Sequence, residues 1–303
     1  MLKRTLYFGN PAYLKTKDNQ LVIELVASGD RHTAVIEDLG IVILDHPQIT
    51  ITQAVIEKLL HHNVALITCD HTHHPSGLLL NLEGHTLQSQ RFRYQVEATQ
   101  PLKKQLWQQT VTAKVYNQYC VLAGNVEESR ILLEYSKSVR SGDPDNIEAK
   151  AAVFYWKYIF GLKSGFYRDR FGPPPNSLLN YGYAVLRALV ARCLVGSGLL
   201  PTLGIFHRNQ YNAYCLADDI MEPYRPFVDQ LVLRLHDINN PAHVLTTELK
   251  RSLLEIPVLD VMLEGGKSPL AIAVQKTTAS LAKCFDGSMR KILYPTFPNG
   301  NFK

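Results

Sequence analysis

The stretch from residue 204 to residue 226 concentrates side chains that bind metal ions and phosphate. It contains one imidazole, three carboxylates and two guanidinium groups: His207, Asp218, Asp219, Glu222, Arg208 and Arg225. Imidazole nitrogens and carboxylate oxygens coordinate divalent cations, and guanidinium groups bind phosphate oxygens through paired hydrogen bonds. The residue types therefore indicate a metal site that acts on a substrate rich in phosphate.

Helix geometry limits how this stretch can fold. A continuous helix would place His207 and Glu222 about 22 Å apart, too far for both to bind one ion. We therefore predict a break after His207, at residues 208–212, because the asparagines there favour turns over helix. A new helix is expected to start at about Tyr214.

Spacing alone leaves the choice of carboxylate open. Asp218 and Glu222 are four residues apart and share a helix face, while Asp219 and Glu222 are three apart and can also serve. Pro223 fits poorly inside a helix and disfavours helical geometry at the residue before it. We therefore expect the Glu222 carboxylate to lie at a kink.

Length and composition bound the architecture. The 303 residues are 46% hydrophobic and 19% charged, which favours two domains over one large core. No apolar run reaches membrane-spanning length and the amino terminus lacks a signal-peptide core, so we expect a cytoplasmic protein without membrane contact. The five cysteines are scattered and odd in number, which argues against a disulfide framework and a thiolate zinc site.

The net charge of +5 is unevenly distributed along the chain. Residues 1–80 carry six Lys and Arg against eight Asp and Glu, whereas residues 81–303 carry 26 against 19. A polyanionic partner such as DNA would therefore contact mainly the second part. On composition alone, lysines that simply solvate helix surfaces are the simpler explanation.

The first part of the chain has the pattern of a β domain. Strands are predicted for five short segments rich in Val, Ile, Leu and Tyr, at residues 2–8, 12–16, 21–26, 33–36 and 41–44. Residues 17–19 resemble a hairpin turn, and residues 64–69 predict a last strand. A Thr50-x-x-Gln53 capping box followed by apolar residues at helical spacing predicts a helix. The expected unit is a compact β domain with one covering helix, residues 1–84.

A cluster of imidazoles follows the last predicted strand, at His71, His73 and His74. Such a cluster is the kind of place where a hydrolase builds zinc ligands, but no matching set of Asp and His residues follows it. We therefore favour an exposed polar loop, closed by residues 75–77.

Beyond Gly84 the hydrophobic period becomes that of helices. We therefore expect a larger, all-α domain over residues 85–303, which makes the fold class α+β. Within it, Asp143 and Pro144 predict the start of a helix that runs to residue 160. Glu148 lies along the inward face of this helix, and an inward carboxylate needs a partner.

A local capping role is the simpler interpretation of Glu148, because Asp145 and Glu148 have the spacing of a capping box. A basic loop follows, in which Lys163, Arg168 and Arg170 alternate with aromatic residues. This composition suits nucleic-acid backbone and bases, although a solvated loop with aromatic anchors is nearly as good an interpretation. A long apolar helix is then predicted from residue 176 to 195, and its Arg187 needs a carboxylate or phosphate partner if buried.

Four motifs, in this order along the chain, resemble the CRISPR adaptation integrase family, the first CRISPR-associated protein. They are IEDLGIVILDHPQITIT from Ile36, EAKAA from Glu148, NSLLNYGYAVLRALVAR from Asn176 and GIFHRNQYNAYCLADDIMEPYRP from Gly204. The resemblance covers nearly the whole chain and is strongest to the branch that accompanies single-effector, type II systems. It implies an amino-terminal β domain that mediates dimerisation and a helical catalytic domain.

The resemblance also implies a set of site residues. The catalytic metal ligands would be Glu148, His207 and Glu222, with Asp218 and Asp219 as supporting or alternative ligands. Asn180, Tyr181 and Arg225 match family positions that line the site. Together with the basic residues noted above, the candidates for DNA binding are Lys163, Arg168, Arg170, Asn180, Tyr181, Arg208 and Arg225.

The implied activity is that of a metal-dependent DNA endonuclease and integrase. Such an enzyme joins the 3′-hydroxyl ends of short foreign DNA fragments to the CRISPR repeat by transesterification. The cofactor would be Mg²⁺ or Mn²⁺, and an imidazole ligand shifts the preference toward Mn²⁺. The implied partners are double-stranded DNA, a second copy of the chain, the small second CRISPR-associated adaptation protein, and effector-complex proteins.

Two alternatives stay open at this point. One is a structure-specific, metal-dependent DNA nuclease that uses the same residues with water as the nucleophile. The other is a non-catalytic DNA-binding scaffold, in which the acidic residues and His207 would form a satisfied polar core.

Overall fold

The computed structural model describes residues 3–162, 165–236 and 245–298. The chain divides into two compact units, Met1–Thr86 and Leu87–Lys303. The predicted boundary after Gly84 lies two residues from this division. The first unit is rich in strands and the second in helices, as expected for an α+β protein.

Two four-stranded sheets build the first unit. Its strands are β1 Arg4–Phe8, β2 Ala12–Lys17, β3 Gln20–Leu25, β4 Arg31–Val35, β5 Leu39–Leu44, β6 Thr50–Ile51, β7 Ala65–Cys69 and β8 Pro75–Leu79. One sheet has the order β1-β5-β7-β8 and the other β4-β3-β2-β6. Helix α1, Gln53–His61, inserts Val55 and Leu59 into a core to which both sheets contribute, for example through Leu14 and Leu66.

The predicted strands are confirmed to within two residues at each end. The hairpin turn is confirmed as well, since Asp18 and Asn19 adopt φ angles of 50° and 59°, which these two residue types tolerate better than most. The capping box is wrong: Thr50 lies in β6, and α1 begins after Thr52, which makes no side-chain capping bond.

Strand β8 was not predicted from the sequence, and neither was the two-residue strand β6. Residues 75–77 were expected to close a loop, but they begin β8, which pairs antiparallel with β7 at the edge of its sheet. Proline lacks a backbone N–H, but it is tolerated as the first residue of an edge strand because that N–H would not be needed to pair with a neighbouring strand. The Pro-Ser-Gly sequence therefore forms part of a strand, although its composition is typical of a turn.

The second unit is built mainly from helices. Within the described residues these are α2 Gln88–Glu97, α3 Gln100–Leu122, α4 Arg130–Ser138, α5 Ile147–Tyr158, α6 Asn176–Gly196, α7 Cys215–Met221, α8 Arg225–Leu235, α9 Thr247–Leu253 and α10 Leu270–Phe285. Helix α3 packs against α4, α5, α7 and α8, and α6 packs against α7, α8, α9 and α10. The long helices α3 and α6 therefore form the frame that positions the shorter ones.

The prediction that this unit is all-α is wrong, because a hairpin lies between α9 and α10. Its strands, β9 Asp260–Leu263 and β10 Gly266–Pro269, are antiparallel and pack against α10. Glu264 and Gly265 form the turn with φ angles of 51° and 78°, as two-residue hairpin turns require. Strands of four residues are too short to show a clear alternation in the sequence.

Helix α6 is the helix of the described chain that is long and apolar enough to cross a membrane by length and composition alone. Of its apolar window, 83% is buried inside the protein. Its apolar run is therefore accounted for by the core of the second unit, where Val185, Leu186 and Val190 are fully buried.

Candidate metal centre

The backbone before α7 is irregular, which confirms the predicted break after His207. Asn209 and Asn212 form the turns in this segment. Each accepts, through its side-chain oxygen, a hydrogen bond from the backbone N–H two residues further on, at 3.0 and 2.9 Å respectively. These bonds replace the partners that a helix would have supplied, so the chain reverses between His207 and α7.

The predicted kink at Glu222 is also confirmed. Residues Glu222–Tyr224 form a single 3-10 turn between α7 and α8. The carbonyl oxygen of Pro223, which a straight helix would have bonded internally, accepts a hydrogen bond of 2.8 Å from Asn117 of α3. The kink therefore fastens this turn to α3, with the Glu222 side chain almost completely buried.

Glu148 is the second residue of α5, and Asp143 caps this helix. The Asp143 carboxylate accepts hydrogen bonds from the first two backbone N–H groups of α5, at 2.8 and 2.9 Å. The capping residue was predicted correctly, but the helix begins three residues later than Pro144 suggested. The capping box with Asp145 is wrong, because Asp145 pairs with Arg140 at 2.6 Å. The side chain of Glu148 is therefore free to face α3.

Glu148 and Glu222 converge on Lys114, a residue of α3 that sequence analysis missed. Lys114 Nζ lies 2.7 Å from Glu148 Oε1 and 2.6 Å from Glu222 Oε2. The contact with Glu148 is a hydrogen bond. The contact with Glu222 is an ion pair without hydrogen-bond geometry. A signal existed in the sequence: Lys114 follows Trp107 and Val111 at helical spacing, on a face that is buried, where a lysine needs a partner.

Asp219 holds the imidazole of His207 from one side. Its Oδ1 lies 2.5 Å from His207 Nδ1, and its carboxylate also accepts hydrogen bonds from the backbone N–H groups of Phe206 and His207 at 2.9 and 3.3 Å. The hydrogen bond to fully buried Asp219 raises the pKa of His207 above its ordinary value. Because Nδ1 is engaged in this way, Nε2 is the nitrogen left for a ligand.

Aromatic packing and a glycine complete the support of His207. Trp107 stacks on Phe206 with ring centroids 4.2 Å apart and meets the His207 ring edge-on at 5.5 Å. A Cβ at Gly204 would collide with the carbonyl oxygen of His207 and come within 2.8 Å of Asp219 Oδ2. Only glycine therefore leaves room for the loop to approach Asp219 this closely.

Asp218 serves a different purpose from its neighbour. Arg187 of α6 binds both of its carboxylate oxygens, at 2.7 and 3.0 Å, although the Arg187 side chain is 43% exposed. Asn212 donates a further hydrogen bond of 2.7 Å to Asp218. Asp218 thus joins α6 to the loop that carries His207. Glu222, in contrast, contacts the ammonium of Lys114, as Glu148 does.

The pKa values of His207 and Glu222 are shifted by the charged groups around them. The hydrogen bond that His207 makes to Asp219 is the main cause of the raised pKa of His207, and the negative charges of Asp219, Glu222 and Glu148 add to it. Burial alone would raise the pKa of Glu222, but the charges of Arg225 and Lys114 outweigh it and lower this pKa overall. Glu222 is therefore held as a carboxylate.

The donor set fits a divalent cation in its chemistry. The carboxylates of Glu148 and Glu222 both contact the ammonium of Lys114, and the imidazole of His207 keeps Nε2 available. Two carboxylates and one imidazole are ligands that Mg²⁺, and above all Mn²⁺, accepts. No group of three His, Cys, Asp or Glu side chains in the described residues is gathered closely enough to enclose an ion. At this centre the ammonium of Lys114 stands between the two carboxylates.

Residues 6–243 match the family model described as CRISPR associated protein Cas1. The chain belongs to the Cas1 family. The CRISPR-associated endonuclease Cas1 of Neisseria meningitidis serogroup C is 36% identical over 282 residues, which is 92% of this chain and 91% of that one. The resemblance seen in the four sequence motifs is thereby confirmed.

Solved structures show the same fold. A casposase bound to its integration product has a TM-score of 0.79 at 20% identity, covering 100% of this chain and 95% of the casposase. A chain of a Cas6-RT-Cas1–Cas2 complex has a TM-score of 0.73 at 18% identity, covering 96% of this chain and 36% of that one. The arrangement of a β-rich unit followed by a helical unit is therefore shared.

Arg168 and Asn180 anchor the basic loop of this Cas1-family chain to α6. Arg168 donates to the side-chain oxygens of Asn176 and Asn180 at 2.9 and 2.8 Å, and Asn180 donates to the carbonyl oxygen of Arg170 at 2.7 Å. Both side chains proposed for DNA binding thus form bonds inside the protein, while the side chain of Arg170 is exposed. Lys163 lies outside the described residues.

The contact of Tyr181 with DNA stays a prediction. Its side chain is fully buried, because its position on α6 faces the core. Arg208 is exposed and donates a hydrogen bond of 2.8 Å to Gln100. Arg225 is a quarter exposed and lies 2.9 Å from Glu222 Oε1, so it borders the candidate centre directly.

A buried polar cluster lies behind Arg225. The guanidinium of Arg225 packs over the ring of Tyr183 at 4.6 Å. The hydroxyls of Tyr183 and Tyr155 both donate hydrogen bonds to Asp229 of α8, the latter at 3.0 Å. Burial raises the pKa of Asp229 from 3.8 to about 7. The carboxyl is therefore expected to hold a proton below neutral pH in the folded protein.

Asp229 should make the stability of the protein fall as the pH rises from about 4 to about 7. Its carboxyl binds a proton more tightly in the folded chain than in the unfolded chain, so unfolding releases protons in this window and becomes easier as the pH rises. The contribution is at most about 1.4 kcal/mol per pH unit. Asp229→Asn, which keeps the shape, should flatten the slope in urea unfolding measured at pH 5, 6 and 7. An unchanged slope would contradict the raised pKa.

The imidazole cluster in the first unit lies in an exposed turn, as the sequence indicated. Asp70 organises this turn by accepting hydrogen bonds from the Thr72 hydroxyl and from the backbone of Thr72 and His74, at 2.6 to 3.1 Å. His73 Nδ1 lies 2.8 Å from Asp45 Oδ1. In the described part of the chain, the three histidines do not belong to a metal-binding group.

Proposed function

We propose that this Cas1-family chain is a metal-dependent DNA endonuclease and integrase of CRISPR adaptation. The proposal is carried by the convergence of Glu148 and Glu222, from separate helices, on one cation position within electrostatic reach of His207. The name of the relative from Neisseria meningitidis, which describes an endonuclease at 36% identity, supports the same activity.

In this proposal the metal ligands are Glu148, Glu222 and Nε2 of His207. When bound there, Mg²⁺ or Mn²⁺ supplies Lewis-acid activation of a phosphodiester and lowers the pKa of a 3′-hydroxyl. Asp219 keeps the proton of His207 on Nδ1, so that Nε2 stays able to ligate. Arg225, which is already paired with Glu222 and a quarter exposed, is placed to bind a phosphate oxygen.

The reaction that we propose is strand joining without a phosphorylated protein intermediate. The 3′-hydroxyl of a short DNA fragment attacks a phosphodiester of the CRISPR repeat, and the displaced strand leaves with its own 3′-hydroxyl. The protein contributes to this step by holding the 3′-hydroxyl in line with the phosphodiester that it attacks. This positioning makes a bimolecular reaction effectively unimolecular. The exposed side chains of Arg170 and Arg208 are suited to the DNA backbone.

The partners proposed for this chain are double-stranded DNA, a second copy of itself bound through the β-rich unit, and a small Cas2-type protein. A chain of the same fold forms part of a Cas6-RT-Cas1–Cas2 complex, which supports the Cas2 partner. Residues 81–303 carry the positive excess of the chain, and this part is proposed to meet the DNA. We also propose effector-complex proteins as partners, and this rests only on the resemblance of the four sequence motifs to the type II branch.

An integration assay tests the function. A labelled DNA fragment with free 3′-hydroxyls is incubated with a repeat-containing plasmid and the purified chain, with and without the small adaptation partner and with Mn²⁺, Mg²⁺ or EDTA. We expect label to become covalently joined to the plasmid with either metal and more efficiently with Mn²⁺. EDTA should abolish the joining.

The same assay separates the two alternatives. A nuclease that uses water would nick or shorten the DNA in the presence of metal without transferring label. A scaffold would bind DNA equally well in metal and in EDTA and change no covalent bond. Either result would contradict integration as the function of this chain.

A further inference from the structure

The ammonium of Lys114 occupies the position on which the two candidate ligand carboxylates converge. It lies 2.7 Å from Glu148 Oε1 and 2.6 Å from Glu222 Oε2, and the Lys114 side chain is only 10% exposed. The three residues come from α3, from the start of α5 and from the turn before α8. One lysine therefore ties together the three elements that form the centre.

The charges of this centre balance when no metal ion takes part. Glu148 and Glu222 carry two negative charges, and Lys114 and Arg225 carry two positive ones, with Arg225 bound to the second oxygen of Glu222 at 2.9 Å. Two neighbouring carboxylates, one buried and one 20% exposed, would destabilise the fold without counter-charges. Lys114 thus supplies the counter-charge that allows the two carboxylates to lie close together.

A divalent cation and this ammonium would compete for the same carboxylates. An Mn²⁺ or Mg²⁺ ion binds carboxylate oxygens at about 2.1 Å, so it would sit next to an ammonium that remained at hydrogen-bond distance from them. The like charges would repel each other strongly at such a separation in a buried site. The lysine side chain has four flexible carbons, which allow its ammonium to move while the backbone of α3 stays in place.

We propose that Lys114 is the built-in counter-ion of the metal-free centre and that it leaves the carboxylates when a divalent cation enters. Lys114 is then a positioning residue: it keeps Glu148 and Glu222 assembled before metal binds, and it competes with the metal for them. The proposal rests on the proposed function in one respect, since it takes these carboxylates as metal ligands.

Calorimetric titration of the full chain with Mn²⁺ tests the competition. Removing the charge in Lys114→Gln should tighten Mn²⁺ binding roughly ten-fold or more, lower the melting temperature of the metal-free protein, and enlarge the rise in melting temperature that Mn²⁺ causes. Lys114→Arg keeps the charge and should bind Mn²⁺ as weakly as the unmodified chain. Lys104→Gln removes an exposed lysine from the same helix and should change none of these values.

A measurement on the unmodified chain covers the case in which Lys114→Gln does not fold. With lysine side chains labelled with ¹⁵N, the metal-free protein should show a protected ammonium resonance that is missing in Lys114→Arg. Saturating Mg²⁺ should remove this resonance or shift it to the position of exposed lysines. A resonance unchanged by Mg²⁺, or Mn²⁺ binding in Lys114→Gln that is no tighter than in the unmodified chain, would overturn the proposal.

The two proposals fail in different ways. If the unmodified chain binds neither Mn²⁺ nor Mg²⁺ in the titration, the metal centre itself is refuted, and the role of Lys114 with it. If the unmodified chain binds Mn²⁺, and Glu148→Ala abolishes the binding while Lys114→Gln leaves it unchanged, the centre stands and only the role of Lys114 is overturned.

Discussion

Replacing Glu222 by alanine is expected to abolish strand joining, with a loss of roughly 1,000-fold or more, while DNA binding changes little. Glu222 is the buried carboxylate that shares Lys114 with Glu148, and its removal would leave the metal with too few ligands. The measurement is the initial rate of label transfer to a repeat plasmid in Mn²⁺, together with the affinity for the same DNA in a filter-binding assay.

Loss of fold must be separated from loss of chemistry in this experiment. Glu222 pairs with two buried or half-buried cations, so its truncation costs stability, on the order of 3 to 5 kcal/mol for a broken buried pair. Glu222→Gln keeps the shape and should lose activity to the same extent with a smaller loss of stability. Glu134→Ala, on an exposed ion pair with Lys137, is the matched control and should stay active. Strand joining retained in Glu222→Ala would refute Glu222 as a ligand.

Asp219→Asn should weaken metal binding about 10- to 100-fold, the range found when a residue that orients a metal-bound histidine is replaced. With its oxygen in the Oδ2 position, asparagine can still accept the backbone hydrogen bond of Phe206, and its amide nitrogen then faces His207, whose backbone N–H and Nδ1 bond to Oδ1 in the unmodified chain. Its amide nitrogen, however, cannot accept the Nδ1 proton of His207, and if it donates instead, the proton moves to Nε2 and blocks the ligand position. Calorimetric titration with Mn²⁺ measures the effect, and strand joining should recover as Mn²⁺ is raised.

Asp218→Asn is the matched control for this prediction. Asp218 is the adjacent acid, but its oxygens are bound by Arg187 and Asn212, so its replacement should disturb the loop and leave the metal affinity within about three-fold of the unmodified value. If Asp218→Asn instead loses Mn²⁺ binding and Asp219→Asn keeps it, the assignment of the two acids is reversed.

Local rules predicted the features that depend on neighbouring residues. The rise of a helix required the break after His207, and the asparagines at 209 and 212 supply the turns in the structure. Pro223 required the kink at Glu222, which is a 3-10 turn. A prediction failed where packing overruled a local pattern, at β8, where an edge position accepts a proline.

The sequence by itself determined the residue types of the candidate centre, the broken helix that carries most of them, the order of a β-rich and a helical unit, and the membership in the Cas1 family. Only the tertiary structure showed that Asp218 pairs with Arg187, Asp219 with His207 and Glu222 with Lys114. It also showed that Lys114 lies between Glu148 and Glu222, two of the groups proposed to bind metal. The physical reason is range: capping, turn and helix-face rules act over about four residues, whereas Glu148 and Glu222 are more than seventy residues apart. They meet because α5 and the turn before α8 both pack on α3.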